Sequence, residues 1–561
     1  MILQHILDLV AICARKEIRH VILSPGSRCA PLTLAFARHP DIHTRTISDE
    51  RSAAFIALGM AQQLNQPIAL VCTSGSAALN YYPAIAEAFF QQIPLLVLTA
   101  DRPQEWIDQY DGQTIFQQNI YGKHVKGSYQ FPNQISGKDD LWYSSRTSNE
   151  AINLAKQFPR GPVHINIPLK EPFYPAAGEN LIFPEQPKIC TVEKGTSILH
   201  EDTFIKLKSR LENVNRIVIV PGQQRTNQEI QRILNKLSIK HNVVVVSDTL
   251  TNLQSDNTIT LHDHWLGIEE LTPSLQPDLI ISFGKSIISK VLKNFLRNSS
   301  ASHWHIQEDG TGKDTFQRLG GILPTSALLF LNWLSENLVC QNPEFYQSWF
   351  KLETKVKESL PKALLKVEFG EYAALNVVLA AIPDISKIQV ANSMAVRYLN
   401  MFGKRSQEII CNRGTSGIDG SNSSAVGCTF TTKDPVTLIS GDMAFFYDRN
   451  AFWHNYAMPN LRIILLNNHA GGIFRMIEGP KNQPELEEYF ETKQNLTAQN
   501  LATEFGFFYS KVINQEELEI SLTDFYTPSL HPKILEIETS SSKNAEILKL
   551  VKDSIKAEIQ Y

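Results

Sequence analysis

Two polar pairs, one strand–helix–strand unit apart, are the first sign of chemistry in this chain. Gly441-Asp442 closes one apolar run and Asn467-Asn468 closes the next, with Asn468 lying 26 positions after Asp442. A parallel strand–helix–strand unit takes about 25–30 residues. Both turns therefore fall at one sheet edge and aim a carboxylate and an amide oxygen at a common point. Hard oxygen ligands suit Mg²⁺, which typically keeps phosphate and water ligands as well. Either pair alone is an ordinary turn; the spacing, with Gly471 and Gly472 following, favours a metal site. Arginines are the second sign. The segments Ser24-Pro25-Gly26-Ser27-Arg28, Thr99-Ala100-Asp101-Arg102-Pro103 and Asn412-Arg413-Gly414-Thr415-Ser416-Gly417 each follow an apolar run, as does Thr73-Ser74-Gly75-Ser76. A turn has no need of arginine, whereas guanidinium grips a carboxylate through a planar two-point fork. A third segment, Ser48-Asp49-Glu50-Arg51, opens an amphipathic run through Gly59. On its own it reads as acidic residues complementing a helix dipole.

The Gly441-Asp442 and Asn467-Asn468 pairs together resemble the thiamine diphosphate motif, a GDG followed about 25 residues later by NN. The resemblance implies that Asp442, the Asn468 side chain and the Ala470 carbonyl hold Mg²⁺, with Mn²⁺ a possible substitute, against the cofactor diphosphate. Met443 and Ala470 stand where glycine is common, and a backbone carbonyl ligand tolerates alanine. Glu50 matches the glutamate that hydrogen-bonds the cofactor aminopyrimidine and so promotes loss of the thiazolium C2 proton; that task calls for a buried, packed carboxylate.

The SPGSR, ADRP and NRGTSGIDG segments, with Gly112-Gln113, are similar to one branch of that superfamily. It comprises the synthases of the menaquinone pathway that make 2-succinyl-5-enolpyruvyl-6-hydroxy-3-cyclohexene-1-carboxylate, and the similarity spans essentially the whole chain. It is strongest in the first 120 residues and from about Ala391 to Pro480. The implied reaction decarboxylates 2-oxoglutarate and adds the succinyl-semialdehyde unit to isochorismate. The two acids carry four carboxylates, which accounts for the arginines. Arg28, Arg102, Arg397 and Arg413 match substrate arginines and Lys290 a substrate lysine, with Ser27, Gln113 and Ser393 as neutral partners. Gly112 stands where some relatives carry asparagine. Pro25, Gly26, Gly75, Ser416, Gly417, Gly441, Met443, Ala444 and Ile473 are implied to line the cofactor. Ile418 matches the residue that wedges the cofactor into a V shape. Ile473, Phe474 and Ile477 match the apolar wall near the reacting carbon, while Arg475 has no assignment. A homodimer or homotetramer is implied, because the superfamily builds its site between the pyrimidine domain of one subunit and the diphosphate domain of another. Two alternatives stand beside this reading: another thiamine-dependent 2-oxoacid decarboxylase or carboligase, and a non-catalytic α/β protein that kept the fold.

Short Val/Ile/Leu runs must position these turns. They are His20–Leu23, Ile68–Cys72, Leu95–Leu98 and Val163–Ile167; Ile217–Val220, Val243–Val246 and Leu279–Ile281; and Ile388–Val390, Ile409–Ile410, Val436–Ile439, Ile463–Leu466 and Ile534–Ile537. Such runs suit strands buried on both faces. Their alternation with helical stretches predicts parallel sheets flanked by helices in three α/β domains, with ligands beyond the carboxyl ends of the strands. The expected domains are 1–180 (pyrimidine-binding), 190–345 (central) and 370–561 (diphosphate- and metal-binding). Pro168, Pro172, Pro175, Pro184 and Pro187 mark an extended linker. The stretch from Leu338 to Glu371 reads as charged and helical. The first and last thirds share a similar strand spacing.

The 561 residues, 43% of them hydrophobic and 20% charged, describe a globular chain rather than a disordered polyelectrolyte. With 53 Lys+Arg against 57 Asp+Glu, the chain lacks the basic excess of a nucleic-acid binder. Its seven cysteines are odd in number and include no CxxC pair. Core positions and a reducing cytoplasm are expected. No signal peptide is expected at Met1–Asp8, and no apolar run approaches a membrane span. Gly310-Thr311-Gly312-Lys313-Asp314 breaks the P-loop pattern. The HxH pairs His262/His264 and His303/His305 offer two ligands each, too few for a strong zinc site.

Overall fold

The computed structural model describes residues 4–560 apart from 172, 177, 194 and 340. Three parallel sheets follow one another along the chain. The first contains β1 (His20–Leu23), β2 (His43–Thr46), β3 (Ile68–Cys72), β4 (Leu95–Asp101), β5 (Ser128–Gln130) and β6 (Val163–Pro168), in the order β2-β1-β3-β4-β6-β5. The second contains β7 (Ile217–Pro221), β8 (Val244–Val245), β9 (Leu279–Phe283), β10 (Ser302–Ile306) and β11 (Leu319–Leu323), ordered β11-β10-β9-β7-β8. The third contains β12 (Lys387–Val390), β13 (Ile409–Ile410), β14 (Val436–Gly441), β15 (Leu461–Asn467), β16 (Phe508–Val512) and β17 (Lys533–Glu538), ordered β13-β12-β14-β15-β17-β16. The first and third sheets thus share one strand order, which explains their similar spacing in the sequence.

Every apolar run expected to be a strand is one, though Val243–Val246 contributes only Val244–Val245. The strands that sequence reading passes over are β2, β5, β10, β11 and β16. Four of the five are sheet edges, and their sequences (HTRT, SYQ, LGGIL and FYSKV) lack a continuous buried run. The linker reading agrees with the absence of helix and strand among the described residues between β6 and the helix Glu201–Leu211. Pro168 ends β6 itself, and Pro172 lies outside the described residues. The charged stretch after Leu338 is the helix Pro343–Leu364.

Five of the cysteines are buried and unpaired, and Cys190 is exposed; Cys340 lies outside the described residues, as do Met1, Ile2 and Leu3 of the N-terminal segment read for a signal peptide. No helix among the described residues is long and apolar enough to cross a membrane. The GTGKD segment lies in a loop between β10 and β11, with no helix following it.

The first and third sheets are joined by a helix pair. Helix Glu50–Leu64 crosses helix Ser421–Thr429 so closely that a Cβ on Gly59 would lie 2.1 Å from the Ser424 carbonyl oxygen. A Cβ on Gly427 would lie 2.1 Å from the Ile56 carbonyl oxygen. One apolar core runs through this crossing, from Ala53–Ala61 into Ala425, Val426 and Cys428. The helix that starts with Glu50 is thereby fixed to the third sheet of its own chain.

Candidate active site

β14 and β15 pair in parallel register with Gly441 opposite Leu466, so the chain leaves both strands at the same edge. The two asparagines that follow diverge. Asn467 is buried and structural: its amide donates to Glu536 at 2.6 Å and to the Leu496 carbonyl at 2.9 Å. Asn468 instead lines a cavity of about 280 Å³ together with Gly441, Asp442, Met443, Ala444, Ala470 and Ile473. Ser393, Ile418 and Phe474 line the same cavity. It lies beyond the carboxyl ends of β12, β14 and β15, where open α/β sheets bind ligands.

Two buried carboxyl groups face this cavity. Burial raises the Asp442 pKa to about 6, against the hydrogen bond from Gln494. Burial likewise raises that of Glu371 to about 7, and neighbouring Asp442 adds to the shift. Two buried acids side by side, with His469 the charge opposing the Asp442 shift, form a site that a cation would relieve. The donor set at the edge is one carboxylate, one amide oxygen and one carbonyl. Among the described residues no group of three His, Cys, Asp or Glu could hold a metal alone. The residues therefore fit a hard cation whose remaining ligands come from phosphate and water.

The basic residues divide into two groups. Arg413 donates to Asn392 Oδ1 at 3.0 Å, and Arg397 donates to the Ser393 carbonyl at 2.5 Å; both acceptors belong to residues that line the cavity. Burial lowers the Arg397 pKa, and Arg413 lowers it further. Lys293 feels the same field. Burial lowers its pKa and Asp248 opposes, while Arg413, Arg297 and Arg397 push with burial. Lys290, the lysine expected from sequence, is exposed at the start of the helix Lys290–Arg297. Lys293, nearly one turn further along, is the lysine coupled to the arginines, and spacing alone did not single it out.

The second group lies at the carboxyl edge of the first sheet. Arg28 is only 7% exposed, donates to the Leu169 carbonyl at 2.8 Å and stacks 4.5 Å from the centre of the Phe173 ring. Arg102 braces its own loop through Asp111 at 3.3 Å and the Gly112 carbonyl at 2.7 Å, next to Gln113. Pro25, Gly26, Ser27 and Gln113 are exposed, and Gly75 is buried with its N–H on the Gln117 side chain. In the single chain Glu50 is half-buried, accepts from Asn80 at 3.3 Å and does not line the cavity of its own chain.

The structure also separates other residues expected together. Ser416 and Gly417 do not line the cavity; the Gly417 carbonyl accepts from Asn392 at 2.7 Å. Ile477 is 37% exposed and lies outside the lining, just after the 3₁₀ turn Gly472–Met476. Arg475, unassigned from sequence, bonds Glu491 at 3.0 Å and Glu487 at 3.0 Å and so ties that turn to the segment behind it. Non-glycine residues with left-handed φ occur at Gln113 (58°), Ser393 (70°), Ser416 (62°) and His469 (60°), one in each of four expected site loops. Such strain persists where surrounding structure holds it. Both histidine pairs have internal partners: His303 and His305 meet Ser282, and His262 lies 3.4 Å from Asp248.

Comparison with known proteins defines the class first. Residues 7–125 match the thiamine pyrophosphate enzyme N-terminal TPP binding domain, and residues 199–388 match the middle domain of thiamine pyrophosphate enzymes. The chain is 45% identical to the 2-succinyl-5-enolpyruvyl-6-hydroxy-3-cyclohexene-1-carboxylate synthase of Cytophaga hutchinsonii, over 99% of both chains. It is 39% identical to the synthase of that name from Christiangramia forsetii, over 96% of this chain and 97% of the other. For the Flavobacterium johnsoniae synthase the identity is 37%, over 97% of each chain. This chain belongs to that synthase family of thiamine pyrophosphate enzymes.

Proposed function

We propose that the chain decarboxylates 2-oxoglutarate with thiamine diphosphate and adds the succinyl-semialdehyde unit to isochorismate, releasing CO₂ and forming 2-succinyl-5-enolpyruvyl-6-hydroxy-3-cyclohexene-1-carboxylate for menaquinone synthesis. The observation that carries this reading is the juxtaposition of an oxygen-ligand cavity with Arg397 and Arg413, which bond its lining residues Ser393 and Asn392. The relatives' shared name favours it over another 2-oxoacid carboligase or a non-catalytic protein. When bound, thiamine diphosphate supplies the electron sink that decarboxylation requires.

The chain's own residues do the rest. Asp442, the Asn468 side chain and the Ala470 carbonyl hold Mg²⁺ or Mn²⁺. Gly441, Met443 and Ala444 supply backbone near the diphosphate, Ser416 and Gly417 adjoin it from the loop tied to the lining residue Asn392 through the Gly417 carbonyl, and Ile418 and Ile473 give apolar support. Arg397, Arg413 and Lys293 orient the substrate carboxylates and offset their charge, with Ser393 as a neutral partner and Phe474 and Ile477 as the apolar wall. Arg28, Arg102, Ser27 and Gln113 come from the other sheet edge, as do Pro25, Gly26 and Gly75 on the pyrimidine side. Glu50 would hydrogen-bond the aminopyrimidine and so promote loss of the thiazolium C2 proton. Because Glu50 is not part of the cavity of its own chain, we assign it to the cavity of a second copy, which makes a homodimer the smallest active unit. We assign residues 1–180, 190–345 and 370–561 to the pyrimidine, central and diphosphate units, and place the protein in the cytoplasm.

The test supplies 2-oxoglutarate with and without isochorismate, together with thiamine diphosphate and Mg²⁺, and follows CO₂ and the adduct by mass spectrometry. Adduct formation dependent on both acids, and abolished with Mg²⁺-dependent cofactor binding in Asp442→Ala, is expected. CO₂ release without adduct would replace this reading by a simple decarboxylase.

A further inference from the structure

The two side chains assigned to the cation are each held by a residue far away in sequence. Asn468 Nδ2 donates to Glu371 Oε1 at 2.6 Å. Glu371 is 2% exposed and opens the helix Glu371–Ala381, its own N–H bound to Asn544 Oδ1 at 3.0 Å. On the other side, Gln494 Nε2 donates to Asp442 Oδ2 at 2.7 Å and also contacts Asn467 Oδ1 at 3.3 Å.

An amide has one acceptor end and one donor end, and a carboxylate only accepts. With its NH₂ committed to Glu371, Asn468 must turn Oδ1 the other way, where that oxygen accepts from the Ala470 N–H at 3.1 Å and a lone pair stays free. Gln494 is fixed by the same logic. Its Oε1 accepts from the Leu496 N–H, so its NH₂ must face Asp442. Its backbone N–H binds the His469 carbonyl at 3.0 Å, within the Asn468–Ala470 loop. The preceding segment is anchored in turn by the Gly471 N–H on the Glu491 carbonyl at 2.7 Å.

We infer that Glu371 and Gln494 are the positioning residues of the divalent-cation site: Glu371 sets the amide orientation of Asn468, and Gln494 sets the carboxylate orientation of Asp442. The inference rests on the assignment of Asp442 and Asn468 as ligands. Partners of this kind typically change metal affinity by about 10- to 100-fold when removed.

The experiment titrates Mn²⁺ into the full-length protein with thiamine diphosphate and reads free Mn²⁺ by electron paramagnetic resonance. Wild type, Asp442→Ala, Glu371→Ala, Glu371→Gln and Gln494→Leu are compared, with circular dichroism as the check on folding. Glu371→Ala and Gln494→Leu should each weaken Mn²⁺ binding by about 10- to 100-fold. Glu371→Gln should recover most of the loss, since its amide oxygen still accepts from Asn468. Wild-type affinity in Glu371→Ala or Gln494→Leu overturns the inference. So does a Glu371→Gln as weak as Glu371→Ala, because charge rather than orientation would then be at work. Should Glu371→Ala not fold, Glu371→Gln against wild type, together with Gln494→Leu, decides. Wild-type Mn²⁺ binding in Asp442→Ala would instead refute the ligand assignment itself.

Discussion

Asp442 and Asn468 could be read from the sequence because strand geometry fixes their spacing. Glu371 and Gln494 could not, since each reaches the site from a segment with no fixed offset to the motif. Glu87 is a third residue of this kind. It is buried in the first domain, and its carboxylate accepts from the Gly414 N–H, the Thr415 N–H and the Thr415 hydroxyl, each at 2.6 Å. It thereby clamps the loop that begins at Arg413, although the helix carrying Glu87 shows only an isolated acid in an apolar run. A hydrogen bond to a charged acceptor contributes about 1.5–3 kcal/mol, and a buried N–H left without an acceptor is costly. Glu87→Gln places an NH₂ donor against one of those N–H groups. We expect urea denaturation to show a stability loss of about 1.5–3 kcal/mol, and steady-state kinetics to show a raised 2-oxoglutarate KM. An unchanged KM would mean that the loop holds Arg413 without Glu87.

At the scale of elements, the central strands were legible because a strand buried on both faces needs an unbroken apolar run. Edge strands such as β2 and β16 escaped because half of each faces solvent. The helix crossing escaped for a different reason: glycines inside helices read as weak spots until a partner is placed against them. Here Gly59 and Gly427 let two backbones meet, and that contact carries Glu50 at one end of its helix. Asp49 caps this helix through the Ser52 N–H at 3.2 Å and also accepts from Asn450 at 2.7 Å, while Arg51 donates to the Tyr447 carbonyl at 3.0 Å. A methyl group at the crossing must push the helices apart, at a cost of typically about 1–3 kcal/mol. Gly427→Ala should lower the urea midpoint accordingly, whereas Gly195→Ala, where a Cβ meets nothing within 4 Å, should leave it unchanged. Equal midpoints for Gly427→Ala and wild type would show that the crossing is loosely packed.

For the whole molecule, the near balance of 53 basic and 57 acidic residues hid a local excess of positive charge around Arg397, Arg413 and Lys293. A net charge carries no information on placement. The shared strand order of the first and third sheets has a larger consequence. Each presents loops at a carboxyl edge, yet Glu50 on the first is absent from the cavity on the third in the same chain. A twofold dimer offers each cavity the Glu50 of the other copy. This arrangement predicts complementation. Glu50→Gln and Asp442→Ala should each be inactive as a homodimer. When the two are unfolded together and refolded, half of the dimers are mixed, and each mixed dimer holds one site with both residues intact. About a quarter of wild-type activity should therefore return, by the counting that a two-site twofold dimer imposes. If Glu50 served the cavity of its own chain, every site in every mixed dimer would lack one of the two residues, and no activity would return. Product formation in the refolded mixture, with dimers quantified by size-exclusion chromatography, decides between the two arrangements.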